Sequence, residues 1–211
     1  MRTGDTDAAM RARAGARRRP GRPRGGEPVI DRERLLDHAE DVIRRVGASA
    51  SIEAIATGAG ITKPIVYARV GGRSELSTAL ASRLTDRMTA ASAAAVASAP
   101  EGRPAMRAMI RASLEIVEAH RELFLYVTAG STPDDRLALA EMIAEPMSAD
   151  LTRWGEDRGV SAESAEAWSW AIVGMLNLVS LWWVSGRDRS AEELSDQLAD
   201  LLWAGLDRTA T

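Results

Sequence analysis

Ser51-Ile52-Glu53-Ala54-Ile55-Ala56-Thr57-Gly58-Ala59-Gly60-Ile61-Thr62-Lys63-Pro64-Ile65-Val66-Tyr67 is the stretch on which the fold turns. Two short helical patterns meet here at a glycine-rich turn. Ser51 can cap the first by accepting from an unpaired backbone N–H, with Ile52, Ile55 and Ala56 facing inward. Gly58-Ala59-Gly60 breaks it. Thr62 can cap the second, and Pro64 is tolerated in its first turn because the N–H it lacks would have no helical partner there. Gly71-Gly72 ends that helix, and another starts at Ser74 and runs toward the alanine-rich stretch near Ala99. Upstream, Leu35, Leu36, Ala39, Val42, Ile43 and Val46 recur at three- and four-residue steps, making one apolar stripe. Asp31 is placed to cap that helix and Gly47 to stop it. A longer helix followed by two short ones across a tight turn is a tri-helical helix-turn-helix. Its inward face is Ile55, Ile61, Ile65 and Val66, and its outward face offers Thr62, Lys63, Tyr67 and Arg69 to a major groove and the flanking phosphates. A hydroxyl at a helix N-terminus suits phosphate, because the free N–H groups and the helix dipole both point there.

Beyond a break at 100–104, apolar periodicity predicts helices over 104–119, 121–129, 133–157, 162–185 and 190–206. The last opens on Ser190-x-x-Glu193, a capping box, and carries Leu194, Leu198, Leu201 and Leu202 on one face. No stretch alternates with a period of two, so the chain reads as all-α, with about nine helices. Three segments follow: a disordered arginine-rich arm over 1–26, a helix-turn-helix domain over 27–80, and a helical domain over 81–211.

The net charge of −3 conceals an uneven distribution. Through Glu75 the balance is +5, and from Leu76 onward it is −8. A basic end on an acidic remainder points to nucleic acid as partner. The arm holds eight arginines against Asp5 and Asp7. Its Gly21-Arg22-Pro23, continued by Arg24, resembles the core of an AT-hook, in which an extended backbone lets arginine enter an A·T-rich minor groove. Three residues also suit a tail that only neutralises phosphates, and both readings stay open.

The chain has no cysteine, which removes disulfides, thiolate nucleophiles and Cys-based metal sites. His38 and His120 are far apart, without carboxylates at ligand spacing, so no metal and no cofactor are expected. There is no phosphate loop, dinucleotide fingerprint, nucleophile elbow or histidine-based triad, and Asp134-Asp135 reads as a solvated helix start rather than a catalytic pair. The chain is therefore not expected to be an enzyme. The apolar run 167–184 is interrupted by Ser169, Asn177 and Ser180 and lies between amphipathic segments, so it reads as a buried helix of a soluble, cytoplasmic bundle rather than a membrane span.

The quoted stretch, with Gly72-Arg73-Ser74-Glu75-Leu76, strongly resembles the DNA-binding signature of TetR-family repressors, over roughly residues 31–80. The resemblance places the family's phosphate-packing tyrosine at Tyr67 and the basic residue opening the next helix at Arg73, where lysine is commoner. With Ser51, Thr62, Lys63, Pro64 and Arg69, and with Arg22 and Arg24 of the arm, these are the candidate DNA contacts. Arg69 and Val70 stand where two further aromatic positions are usual, so operator preference cannot be borrowed from a relative. The resemblance implies a homodimer on an inverted-repeat operator, and a small-molecule effector that releases it. It also implies an interface built from the last two helices, for which Trp168, Gly174, Leu178 and Trp182 on the first and Leu194, Leu198, Leu201 and Leu202 on the second are candidates. Asn177, amid apolar surface, needs a hydrogen-bond partner: a carbonyl of its own chain or of the partner, or a ligand. Met106, Met109, Phe124, Tyr126, Met142, Met147, Trp154 and Trp170 supply soft and aromatic surface suited to an apolar or aromatic effector. A dimeric DNA-binding protein without an effector, and more remotely a helical enzyme, are the alternatives.

Overall fold

The computed structural model describes residues 30–186 and 188–209, and Arg22 and Arg24 lie outside them. The described residues are helical, without strands. The helices are α1 (Arg32–Val46), α2 (Ile52–Gly58), α3 (Lys63–Val70), α4 (Arg73–Ala97), α5 (Arg103–Ala119), α6 (Arg121–Gly130), α7 (Pro133–Gly155), α8 (Ala162–Val184) and α9 (Ala191–Thr209), with a 3-10 turn at Glu156–Arg158. From Asp31 onward they form one unit, and the boundary expected near residue 80 falls inside the unbroken α4.

Local chemistry sets the helix ends. The Asp31 carboxylate accepts from Arg34 N at 2.8 Å and the Ser51 hydroxyl from Ala54 N at 3.1 Å, each satisfying a donor that the first turn leaves unpaired. Ser190 and Glu193 form the reciprocal box, at 3.1 and 3.2 Å. Thr132 and Asp135 form another at the start of α7, and Asp135 is held below the ordinary carboxylate range by the Thr132 hydroxyl and backbone N–H it accepts from. Gly47 stops α1 at φ +96°, a conformation that an L side chain adopts only under strain.

The head formed by α1–α3 closes on Leu35, Leu36, Ile43, Ile55 and Val66, which are nearly or wholly inaccessible. It rests on the first turns of α4, where Leu76 and Leu80 are buried. Two arginines of α4 fasten α1: Arg83 reaches Asp37 at 2.8 Å and Glu40 at 3.3 Å, and Arg87 reaches Glu40 at 2.9 Å. Glu40 is 8% exposed, so this double pairing compensates the loss of its hydration.

Behind the head, α5 packs between α4 and α9, and α7 lies along α8. Ile110, Leu114 and Val117 of α5 are buried with Phe124, Tyr126 and Val127 of α6. A ladder of ion pairs ties α9 to α5: Arg103 to Asp200 at 2.6 Å, Arg107 to Asp196, and Arg111 to Glu192 at 3.4 Å. In α7 only Ala144 and Gly155 are buried, and the helix runs on through Pro146.

Candidate nucleic-acid interface

Packing divides α3 into two faces. Val66 and Val70 are buried against the head, while Thr62, Lys63, Pro64, Tyr67 and Arg69 are exposed on the opposite side. Thr62 is the N-cap by position, but its side chain makes no capping bond. Pro64 occupies the first turn, where an N–H is dispensable. The Ile65 and Val66 N–H groups already donate to the Thr62 carbonyl, at 3.0 and 3.3 Å, so what the helix start offers outward is the Thr62 hydroxyl. Ser51 is exposed at the start of α2, its hydroxyl already accepting from Ala54.

Two candidate cations have partners that the sequence reading did not assign. Lys63 Nζ lies 2.8 Å from the carboxylate of Glu53 on α2. The hydrogen bond between them and each partner's opposite charge raise the Lys63 pKa and lower that of Glu53. Arg73 donates from Nη1 to the carbonyl of Ala50 at 3.0 Å, and its guanidinium carbon lies 4.7 Å from the Tyr126 ring centre. Arg73 is thus a bridge within the chain, with guanidinium donors beyond the one given to Ala50. Tyr67 is 53% exposed in the middle of α3.

The effector candidates lie in different surroundings. Phe124 and Tyr126 are core, and Tyr126 lies wholly buried beneath Arg73 with no hydrogen-bond partner for its hydroxyl. Burial raises the pKa of that phenol. Trp154 packs edge-on against Trp203 of α9, with centroids 6.1 Å apart. Met106, Met109, Met147 and Trp170 are half-buried. Met142 is 55% exposed on α7. Asn177 is likewise on open surface rather than in a pocket. A cleft of about 110 Å³ is lined by Glu40, Arg44 and residues 118–123, and none of the methionine or tryptophan candidates borders it.

Among the interface candidates α8 and α9 behave differently. On α8, Gly174 has open space where a Cβ would stand, Leu178 is 67% exposed and Trp182 42%, while Trp168 is half-buried. They form a stripe on a helix that is apolar nearly all round, and the one helix among the described residues long and apolar enough to cross a membrane. Only 33% of its most apolar window is buried within the chain, which leaves its apolar surface for a shared interface rather than for the interior of one chain. On α9, Leu194 and Leu198 are buried in their own chain and cannot serve a partner; they are interior residues of the face turned to α5. Leu201 is 65% exposed and Leu202 half-buried.

Residues 75–211 match the family described as tetracyclin repressor-like, C-terminal domain. A relative from Mycobacterium tuberculosis, named as an uncharacterized HTH-type transcriptional regulator, is 30% identical over 182 residues, covering 84% of this chain and 78% of its own length. A TetR-family transcriptional regulator from Pectobacterium atrosepticum superposes with a TM-score of 0.67 at 23% identity, over 83% of this chain and 93% of that one. The fatty acid degradation regulator FadR from Bacillus halodurans superposes at 0.66 with 18% identity, over 86% and 98%.

Proposed function

The chain belongs to the TetR family of transcriptional regulators, and from that premise we propose that it acts as a homodimeric repressor released from an inverted-repeat operator by an apolar or aromatic small molecule. The carrying observation is α3, buried through Val66 and Val70 while Thr62, Lys63, Tyr67 and Arg69 are exposed on its other face. A two-fold dimer would set two such helices in successive major grooves, ~34–36 Å apart or a multiple of that. Lys63 and Arg69 then reach base edges and flanking phosphates, while Tyr67, Arg73 and the helix start hold phosphates.

The exposed Gly174 and Leu178, beside Trp182 with Arg189 over its ring, support dimerisation through α8, with Leu201 extending the face onto α9. Asn177, exposed in one chain, would find its partner across that interface. The half-buried methionines of α5 and α7 support an apolar effector, and the Bacillus halodurans neighbour is described as a regulator of fatty acid degradation. Arg22 and Arg24 would add phosphate neutralisation, each phosphate steepening the log–log salt dependence by ~0.9. Transcriptional work of this kind is cytoplasmic.

Selection of genomic fragments with purified protein, followed by footprinting, tests the reading. A two-fold symmetric footprint and a light-scattering mass of twice 22.7 kDa are the expected results. A monomer, or a single asymmetric half-site, would overturn it. An effector must weaken operator binding by the same factor by which operator weakens effector binding.

A further inference from the structure

The loop between α1 and α2 is held from outside the head, by α6. Glu122 Oε2 accepts from Ala48 N at 3.1 Å. Gly47 makes room for that carboxylate: a Cβ there would stand 3.3 Å from Glu122 Oε2, and the residue is at φ +96°. One turn further along α6, the Tyr126 ring carries the Arg73 guanidinium, which donates to Ala50 O. Positions 122 and 126 are neighbours on one helical face, so α6 grips the loop at two points two residues apart.

The first grip continues to α8. The other oxygen of the same carboxylate, Glu122 Oε1, accepts from Arg121 Nη1 at 2.8 Å, and Arg121 Nε donates to the carbonyl of Val184 at 2.9 Å. Val184 is the last residue of α8, where helical carbonyls lack internal partners and a cation is favoured. An unbroken polar path thus runs from the head's loop through two adjacent side chains to the end of the helix with the open apolar stripe. Glu122 is about one-third exposed and Arg121 half, so an isolated pair would contribute little to stability. What the path fixes is position.

We propose that Arg121 and Glu122 set the separation of the two reading heads in the dimer, and so select operators by the spacing of their half-sites. This rests on the dimeric operator-binding reading above. Both act as positioning residues, Glu122 through the loop at Ala48 and Arg121 through the end of α8.

The test uses full-length protein and duplexes carrying two copies of the selected half-site, with spacers varied one base pair at a time, beside a duplex with one half-site. Wild type should show a sharp optimum. Glu122→Ala should lower affinity at the optimum by about tenfold and flatten the profile, leaving the lone half-site unchanged. Arg121→Ala should flatten it too. Glu122→Gln, which keeps an acceptor for Ala48, should restore part of the optimum. Variants with the wild-type profile would overturn the proposal. So would an equal loss at every spacer and on the lone half-site, which would mark damage to the head itself. Wild-type protein that binds no inverted repeat would fail earlier and take the dimeric reading with it.

Discussion

The head and α7 represent two ways of using apolar residues. In α1–α3, spanning Arg32–Val70, five large side chains are sealed to within 2% of full burial: Leu35, Leu36, Ile43, Ile55 and Val66. In α7, a 23-residue helix, only Ala144 and Gly155 are buried, while Leu137 and Met142 stand more than half exposed. A sealed core fixes one geometry, as a surface matched to DNA must have. Half-covered methionines and leucines leave apolar area for something outside the chain to bury.

The sharpest way to break this contrast is truncation on each side of it. Ile55→Ala leaves a cavity in a closed core and should cost ~2–5 kcal/mol in denaturant unfolding. Met147→Ala on α7 removes half-covered surface and should cost about 1 kcal/mol. Equal losses would show that α7 is as tightly specified as the head.

Two helical glycines give the next test. A Cβ at Gly58 would run into the Val42 side chain, so Gly58→Ala should destabilise by ~1–3 kcal/mol. Gly174 has open space around its missing Cβ, and Gly174→Ala should raise the stability of the single chain by ~0.5–1 kcal/mol, as in any exposed helix interior. If α8 packs closely on its copy, the same change weakens the dimer. Thermal melts at several protein concentrations separate the two effects.

Glu53→Gln sharpens the comparison at the reading face itself. Freed from its partner, Lys63 should strengthen binding to random-sequence DNA and steepen the salt slope by up to ~0.9 per chain, read from titrations across a salt series. An unchanged slope would place Lys63 away from phosphate.

The smallest effect belongs to the junction. Burial and the Arg87 charge hold the His120 imidazole below its ordinary 6.5, against the pull of Glu40 and with help from Arg44. The folded state favours the neutral ring, so the unfolded chain takes the proton first. Stability should therefore decline as pH falls through 6.5, and His120→Asn should flatten that part of the stability–pH curve.

Much of this was legible in the sequence where the cause is local. Asp31, Ser51 and the Ser190–Glu193 box cap the helices their spacing indicates, because a cap needs only residues within one turn. The same signal stood unread at Thr132-x-x-Asp135, where the acidic pair suggested only solvation. Leu194 and Leu198 show where periodicity stops: it identifies an apolar face but not which neighbour covers it, and α5 covers theirs. The Lys63–Glu53 pair and the Arg121–Glu122 path join groups between 10 and 74 residues apart or through their backbones, and no spacing rule reaches them.

The ladder between α5 and α9 has a geometric consequence. Its basic rungs, Arg103, Arg107 and Arg111, and its acidic rungs, Glu192, Asp196 and Asp200, repeat every four residues and run in opposite directions. Arg103 also lies 3.9 Å from Asp196, and Arg107 3.2 Å from Glu192, so each already touches the acid of the next rung. A slide of α9 by a fraction of a turn would leave charges facing gaps. A slide by a full turn, about 6 Å at 1.5 Å per residue, would pair Arg103 with Asp196 and Arg107 with Glu192 again. The C-terminal helix is thus seated on a notched rail, with stops one helical turn apart.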